Sequence, residues 1–219
     1  MRVKEDAFEE FPSKMRDKWT SQDGDIFIVG DVFDDVNFSR IPKAKLLYTD
    51  PPWGQPNLSM YRNMVGFQTQ PFAVFLVELA NRIKQYAPEY AFMEMGNRWV
   101  DSAVNACREA GMVPELVYPI FYSRINPCSL IQIKVTASNS IGFIDAIRDR
   151  DDNITPGIIM DMFKTESVFD PCLGLGATAR NAWKRKMVVY GVEMVPQRLA
   201  YVLRHGRNKF GKVWSKEEF

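Results

Sequence analysis

Apolar and polar residues follow two patterns along the chain, one typical of buried strands and one typical of helices. Short apolar runs predict buried strands at 25–31, 45–50 and 90–96, and the first two end at an aspartate. Apolar residues at helical spacing predict helices over 71–87, 99–111 and 155–165. Further strands are predicted at "MVPELVYPIFYS", "SLIQIKVTA" and "MVVYGVE", and a last helix at "VPQRLAYVLRHGRNKF". This alternation indicates an α/β fold, with a mostly parallel sheet covered by helices on both faces.

Length and composition narrow the class of protein. The 219 residues, 46% hydrophobic and 25% charged, suit one ordinary folded core. We expect a single domain over 1–219, with an N-terminal extension (1–24), a first half (25–154) and a second half (155–219). No apolar run approaches the roughly 20 residues that cross a bilayer, and the start lacks a secretory signal, so we expect a cytoplasmic protein without membrane contact. The three widely spaced cysteines indicate neither a disulfide framework nor a zinc site, and no metal is predicted.

Charge is distributed unevenly, although the net charge is only +1. The first 35 residues carry five basic and ten acidic side chains, whereas residues 180–219 carry ten basic and three acidic ones. The basic segment has two interpretations, a solvated helix face and a surface that contacts the phosphates of a nucleic acid.

Acidic and glycine residues that follow the predicted strands indicate a ligand site, because ligands bind open parallel sheets beyond the carboxyl ends of the strands. In "FDPCLGLGATA", Asp170 follows a strand, and Gly174 and Gly176 let the backbone pass close to a ligand before a helix begins. Glu193 ends the next strand, 23 residues after Asp170. An acid at about this spacing meets the ribose hydroxyls of bound nucleotides, so the pattern predicts a nucleoside-containing cofactor.

The acid in this turn narrows the choice of cofactor. A carboxylate at Asp170 would repel a pyrophosphate, and Thr178 and Ala179 stand about where a dinucleotide fingerprint has its third glycine. S-adenosylmethionine combines an adenosine with a sulfonium and an amino group, so it suits both acids. It is the predicted cofactor, and a dinucleotide is the minor alternative.

The motif "DPPW", Asp50 to Trp53, follows the strand predicted at 45–50. An amino group on a nucleobase is a poor nucleophile until acceptors hold its two N–H bonds. The Asp50 carboxylate and the main-chain carbonyl of Pro51 could be those acceptors, with Pro52 stiffening the turn. Trp53 could stack on the base, which is worth roughly 1 to 3 kcal/mol in comparable contacts. An ordinary turn is the other interpretation of the motif taken alone.

Together these residues resemble the amino-methyltransferases of nucleic acid, the adenine-N6 and cytosine-N4 DNA methylases. "DPPW" is similar to their catalytic motif, "FDPCLGLGATA" to their "DPFxGSGTT" cofactor loop, and "YGVE" to the ribose motif. The order, with the catalytic motif first, resembles the circularly permuted β class. The resemblance implies a Rossmann-like fold that binds S-adenosylmethionine in its second half and carries out catalysis in its first. The implied cofactor site comprises Asp50, Asp170, Pro171, Cys172, Gly174, Gly176 and Glu193, bordered by Asp31 and Thr155.

The chain departs from this class in two respects. Cys172 and Leu175 replace the usual phenylalanine and serine of the cofactor loop. Fewer than 20 residues separate "IQIKVTA" from Thr155, where full-length members usually place a target-recognition domain, and we expect none here. Contacts that hold a flipped base would then come from a partner subunit or second copy, unless sequence preference is relaxed or the substrate is single-stranded. The predicted long loop after the motif carries the candidate substrate-binding residues Tyr61, Arg62 and Asn63.

The resemblance implies methyl transfer to the 6-amino group of adenine in DNA by base flipping. Cytosine enzymes commonly have a serine where this chain has Asp50, so the acid favours adenine. RNA adenine methylation and cytosine-N4 methylation of DNA remain alternatives. A subunit that binds cofactor or nucleic acid without catalysis is the non-enzymatic alternative.

Overall fold

The computed structural model describes residues 5–218. Within this range the strands are β1 (Lys18–Ser21), β2 (Ile26–Val29), β3 (Leu46–Thr49), β4 (Tyr90–Gly96), β5 (Val113–Tyr122), β6 (Asn126–Lys134), β7 (Ser167–Asp170), β8 (Val188–Glu193) and β9 (Trp214–Glu217). The α-helices of the same part of the chain are α1 (Glu5–Glu10), α2 (Asp35–Ser39), α3 (Gln55–Met64), α4 (Phe72–Tyr86), α5 (Val100–Glu109), α6 (Thr155–Phe163), α7 (Ala177–Lys184) and α8 (Pro196–Phe210). Short 3-10 turns lie at Asn97–Trp99 and Asp145–Ile147.

The strands form one sheet in the order β5-β6-β4-β3-β7-β8-β2-β1-β9. Its centre, from β4 to β2, is parallel, and antiparallel pairs extend it on both sides. The expected α/β fold with a parallel centre is confirmed. Catalytic and cofactor motifs lie far apart in the sequence, but β3 and β7 are neighbours in the sheet.

Two hydrophobic cores cover the two faces of the sheet. Helices α6, α7 and α8 pack on one face, against residues such as Leu46 and Tyr48 of β3. Helices α2, α4 and α5 pack on the other face, against residues such as Leu47. All four residues of β3 are buried because helices cover both of its faces, which explains its continuous apolar sequence. Of the helices that the structure describes, none has the length and apolar character of a membrane span.

Some elements differ from the sequence-based predictions. The loop expected after DPPW is largely helix α3, which begins with Pro56 in its first turn. The expected N-terminal extension also contributes to the fold, because β1 pairs with β2 and β9. Strands β1 and β9 have only four residues each and include polar and charged side chains, so hydrophobic periodicity does not reveal them.

The uneven charge is neutralised largely within the chain. Acidic residues of the N-terminal region pair with basic residues near the C-terminus. The pairs are Arg204 with Asp6 and Glu10, Arg207 with Glu10, Lys212 with Asp23 and Asp25, and Lys216 with Asp17. For these four cations the structure favours a role in packing over contact with phosphates.

The pair between Lys212 and Asp25 is buried, and its loss should destabilise the fold. The Lys212 Nζ lies 2.7 Å from Asp25 Oδ2, and the Asp25 side chain has no exposed surface. We expect Lys212→Met to lower the free energy of unfolding by about 3 kcal/mol, because a buried carboxylate loses its cation. Urea denaturation measures this change. Lys45→Met is the matched control, because the Lys45–Glu89 pair is exposed and should contribute less than about 1 kcal/mol. Equal effects of the two substitutions would contradict the prediction.

Candidate active site

A cavity of about 650 Å³ opens at the carboxyl ends of the parallel strands. Residues that follow or end four of these strands line it, namely Asp31, Asp50, Asp170 and Glu193. Ligands bind doubly wound sheets at this edge, and the volume is within the range of small-molecule sites. The geometry therefore identifies the cavity as the candidate active site.

Two acids order the glycine turn after β7. The Cys172 amide donates to Asp170 Oδ1 (3.0 Å), and the Gly174 amide donates to Glu193 Oε2 (2.7 Å). Gly174 has a φ of +58°, a left-handed conformation that glycine adopts without strain. Asp170 and Glu193 therefore shape the loop in addition to facing the cavity.

The segment from Asp50 to Trp53 connects β3 to α3 without regular structure. Gly54 ends it with a φ of +100°, and a Cβ there would lie 2.7 Å from Trp99 Nε1, so only glycine fits this sharp turn. The Trp53 ring packs against Gly96 and meets the Tyr122 ring edge-on, with centroids 5.2 Å apart. Both rings line the cavity and form an aromatic wall beside Asp50.

Acidic side chains on the cavity wall outnumber basic ones by six to three. Asp50 faces the solvent of the cavity, yet the enclosing protein and the neighbouring Asp170 raise its pKa to about 7. Burial raises the pKa of Asp170 to about 6 and that of Glu193 to about 7. Carboxylates in this arrangement repel one another when ionised, so they favour a cationic ligand.

Helix α3 is held over the cavity by two contacts. Arg62 Nη1 lies 3.1 Å from Asp31 Oδ2, and both side chains are largely buried. On the other side, the Arg198 guanidinium of α8 lies 4.6 Å from the centre of the Tyr61 ring. Arg62 and Tyr61 are therefore engaged with residues of their own chain.

The sequence matches no protein-family model and no curated protein. Solved structures, by contrast, show clear similarity. M1.HpyAVI aligns with a TM-score of 0.59 at 14% identity, over 81% of this chain and 96% of its own. TTHA0409 of Thermus thermophilus, a DNA modification methylase by assignment, was solved with S-adenosyl-L-methionine; it aligns with a TM-score of 0.59 at 16% identity, over 83% and 93%. PvuII DNA methyltransferase, which is cytosine-N4-specific, aligns with a TM-score of 0.58 at 12% identity, over 84% and 86%.

The chain therefore shares its fold with these proteins. Most of the site residues predicted from the sequence lie on the cavity wall of this fold. They are Asp31, Asp50, Pro51, Pro52, Trp53, Tyr61, Arg62, Asp170, Pro171, Cys172, Gly174 and Glu193.

Three predicted site residues do not line the cavity. Asn63 lies on the exposed side of α3. Thr155 is fully buried, and its hydroxyl donates to the Asp151 carbonyl (2.9 Å) at the start of α6. Gly176 ends the glycine turn with a φ of +76° and packs against Val202. Thr155 and Gly176 therefore support the wall from behind.

The structure adds cavity residues that the sequence analysis did not identify. They include Glu94, Tyr122, Asp152, Asn153, Arg180, Arg198 and Tyr201. Glu94 had a detectable signal, because it is an acid inside the apolar run "YAFMEMG". Asp152 had none, because it belongs to the charged run "RDRDD", which is typical of a solvated loop.

The raised pKa of Asp50 predicts a stability that depends on pH in a specific direction. The folded protein retains a proton on Asp50 up to about pH 7, whereas the unfolded chain loses it near 4. Since the folded state binds more protons in this window, Asp50 makes the protein less stable as pH rises from about 4 to about 7.

The substitution Asp50→Asn removes this titration. We therefore expect the stability of Asp50→Asn relative to the parent to increase as pH rises from about 4 to about 7. Urea midpoints of both proteins across this range measure the difference. A difference that is constant or decreases with pH would contradict the assignment.

Proposed function

We propose that this chain is an S-adenosylmethionine-dependent DNA methyltransferase that acts on an exocyclic amino group, with N6 of adenine as the acceptor. The observation that carries the proposal is the convergence of two motifs in one cavity. The DPPW segment follows β3, and the Asp170 turn follows β7, the adjacent parallel strand. The fold shared with PvuII DNA methyltransferase and TTHA0409 supports the same conclusion.

The wall formed by β7 and β8 fits S-adenosylmethionine. Glu193 is 5% exposed, and its oxygens accept hydrogen bonds from the backbone amides of Gly174 (2.7 Å) and Val195 (2.8 Å). Each oxygen has a further lone pair for a ribose hydroxyl. Asp170 supplies negative charge for a cationic ligand. When bound, S-adenosylmethionine supplies a methyl group on an electrophilic sulfonium.

Asp50 and Pro51 are proposed to hold the amine that receives the methyl group. The Asp50 carboxylate and the Pro51 carbonyl accept hydrogen bonds from the two N–H groups of the amine. They orient its lone pair toward the cofactor side of the cavity. Because β3 adjoins β7, an amine held at Asp50 lies next to the Asp170 turn. Catalysis is then mainly positioning and charge stabilisation. The Asp50 carboxylate is also the natural acceptor for the proton that the amine loses.

The aromatic wall of Trp53 and Tyr122 is proposed to contact the flipped base. Trp53 is fixed against Gly96, so its ring needs little further ordering to stack on a base. Arg180 and Arg198, which also line the cavity, are better placed for the nucleic-acid backbone than the paired cations of the C-terminal segment.

Cytosine-N4 methylation is the second candidate. The likeness to PvuII DNA methyltransferase favours it, because that enzyme is cytosine-N4-specific. Asp50 favours adenine, since cytosine enzymes commonly have serine at the position it resembles. Both bases present an amino group beside a ring nitrogen, so the site described here accommodates either chemistry.

One assay separates these possibilities. The protein is incubated with cofactor labelled in the methyl group and with unmethylated duplex DNA, single-stranded DNA or RNA, and the product is digested to nucleosides. Label in N6-methyldeoxyadenosine is the expected result. Label in N4-methyldeoxycytidine supports the second candidate. Label found only in RNA would identify RNA, and not DNA, as the substrate. Cofactor binding without transfer to any nucleic acid would overturn the enzymatic proposal.

Substitutions on the two sides of the cavity should separate transfer from cofactor binding. Asp50→Ala should abolish methyl transfer and leave cofactor affinity within severalfold of the parent, because Asp50 holds the base. Glu193→Ala should weaken cofactor binding by about tenfold or more, because it removes the ribose acceptor and loosens the Gly174 turn. Calorimetry and the transfer assay measure the two effects. Lys45→Ala, in an exposed ion pair outside the cavity, is the control. Equal loss of binding in both cavity variants would contradict the division of roles.

A further inference from the structure

Glu94 lies on β4, on the side of Asp50 that faces away from the cofactor loop. In the register of β3 and β4, Tyr48 pairs with Phe92 and Thr49 with Met93, so position 50 continues alongside position 94. Side chains of such neighbours project from the same face of the sheet. The Glu94 side chain is 2% exposed and lines the cavity. It is therefore part of the wall that a base held at Asp50 would face.

One carboxyl oxygen of Glu94 has a partner and the other does not. Oε1 accepts a hydrogen bond from the Tyr48 hydroxyl. Oε2 is buried and has no hydrogen-bond partner among the residues that the structure describes. Buried polar atoms are almost always paired, so an unpaired one on a cavity wall indicates that a ligand supplies the partner.

The surroundings of Glu94 determine whether this oxygen donates or accepts. The groups that act on it are Tyr48, Asp50, Asp152 and Asp170, and all three charged ones are carboxylates. Burial and the nearby Asp50 raise the pKa of Glu94 well above its usual range, which favours the neutral acid. Because Oε1 already accepts from Tyr48, the acid proton belongs on Oε2, which makes Oε2 a donor.

We propose that Glu94 reads the Watson–Crick edge of the target base, its Oε2 hydroxyl donating a hydrogen bond to the ring nitrogen beside the amino group. That nitrogen is N1 in adenine and N3 in cytosine. The inference rests on the proposed function, in which Asp50 accepts from the amino group. Asp50 and Glu94 then form an acceptor and donor pair that matches the base edge. Guanine and thymine carry a hydrogen on the corresponding nitrogen, so Glu94 would leave them unmatched.

Two substitutions distinguish a neutral donor from an ionised acid. Glu94→Gln keeps an acceptor for Tyr48 and places an amide donor where Oε2 lies, whereas Glu94→Leu removes both. We expect Glu94→Gln to retain kcat/KM within about threefold and Glu94→Leu to lose about 10- to 100-fold, the size of effect expected for a buried hydrogen bond. Cofactor affinity, measured by calorimetry, should be similar in both variants and the parent.

Modified bases test the same contact from the substrate side without altering the protein. Replacing the target adenine by 1-deazaadenine removes the ring acceptor and should lower kcat/KM of the parent by about tenfold or more. The same replacement should cause little further loss in Glu94→Leu, because the two changes remove one interaction. 7-Deazaadenine, which retains N1, is the control and should be methylated by the parent at close to the normal rate. If the assay identifies cytosine as the target, 3-deazacytosine takes the place of 1-deazaadenine.

The outcomes separate this inference from the proposed function. If the parent transfers no methyl group to any nucleic acid, the proposed function fails and the inference fails with it. If the parent is active but accepts 1-deazaadenine as readily as adenine, only the inference is overturned. It is also overturned if Glu94→Gln loses as much activity as Glu94→Leu, because Glu94 would then act as an ionised or purely structural group.

Discussion

The parallel register of the five central strands is the constraint on which the candidate site depends. Because β2, β3, β4, β7 and β8 run in one direction, their carboxyl ends meet at a single edge of the sheet. Each motif occupies one of these ends, so residues more than 100 positions apart, such as Asp50 and Asp170, line one cavity. The order of the motifs along the chain is then of no consequence for the site, since strand neighbourhood alone brings them together.

The same convergence brings several carboxylates close together, where they repel one another. Acids on the cavity wall and buried acids elsewhere in the protein have different partners. Away from the cavity, buried acids have lysine partners, as Asp25 has Lys212 at 2.7 Å and Asp17 has Lys216 at 3.0 Å. On the cavity wall, Asp170 and Glu193 accept backbone amides of the glycine turn instead, and their pKa values remain raised. A cation that enters the cavity would relieve this repulsion. Repulsion among these carboxylates therefore lowers the stability of the free protein at this edge of the sheet, and a bound cation would restore it.

The sequence predicts those parts of the fold in which local and tertiary preferences agree. Strand β3 is buried on both faces and reads as an uninterrupted apolar run, and the two glycines of the Asp170 turn mark the start of α7. Helix α3 was not predicted because its sequence, "QPNLSMYRNM", is mostly polar, and Leu58 is the one residue of this helix that is buried. The pairing of acidic and basic termini was not predicted because it depends on β9 returning to β1 and on α8 packing against α1, contacts that span almost the whole chain. Ion pairs of this kind are properties of the tertiary structure and leave no local signal.

Glu94 and Asp50 illustrate how adjacent strands can give two carboxyl groups opposite roles. Asp50 faces the solvent of the cavity, and its pKa of about 7 allows it to ionise when a cation or an amine binds. Glu94 lies deeper and is almost fully buried, and burial raises its pKa well above the usual range although the hydrogen bond from the Tyr48 hydroxyl acts in the opposite direction. Ionisation of Asp50 makes the proton on Glu94 still harder to remove, because two neighbouring charges would repel in a poorly solvated site. The pair therefore favours one negative charge and one donor, the combination that an amino group beside a ring nitrogen requires.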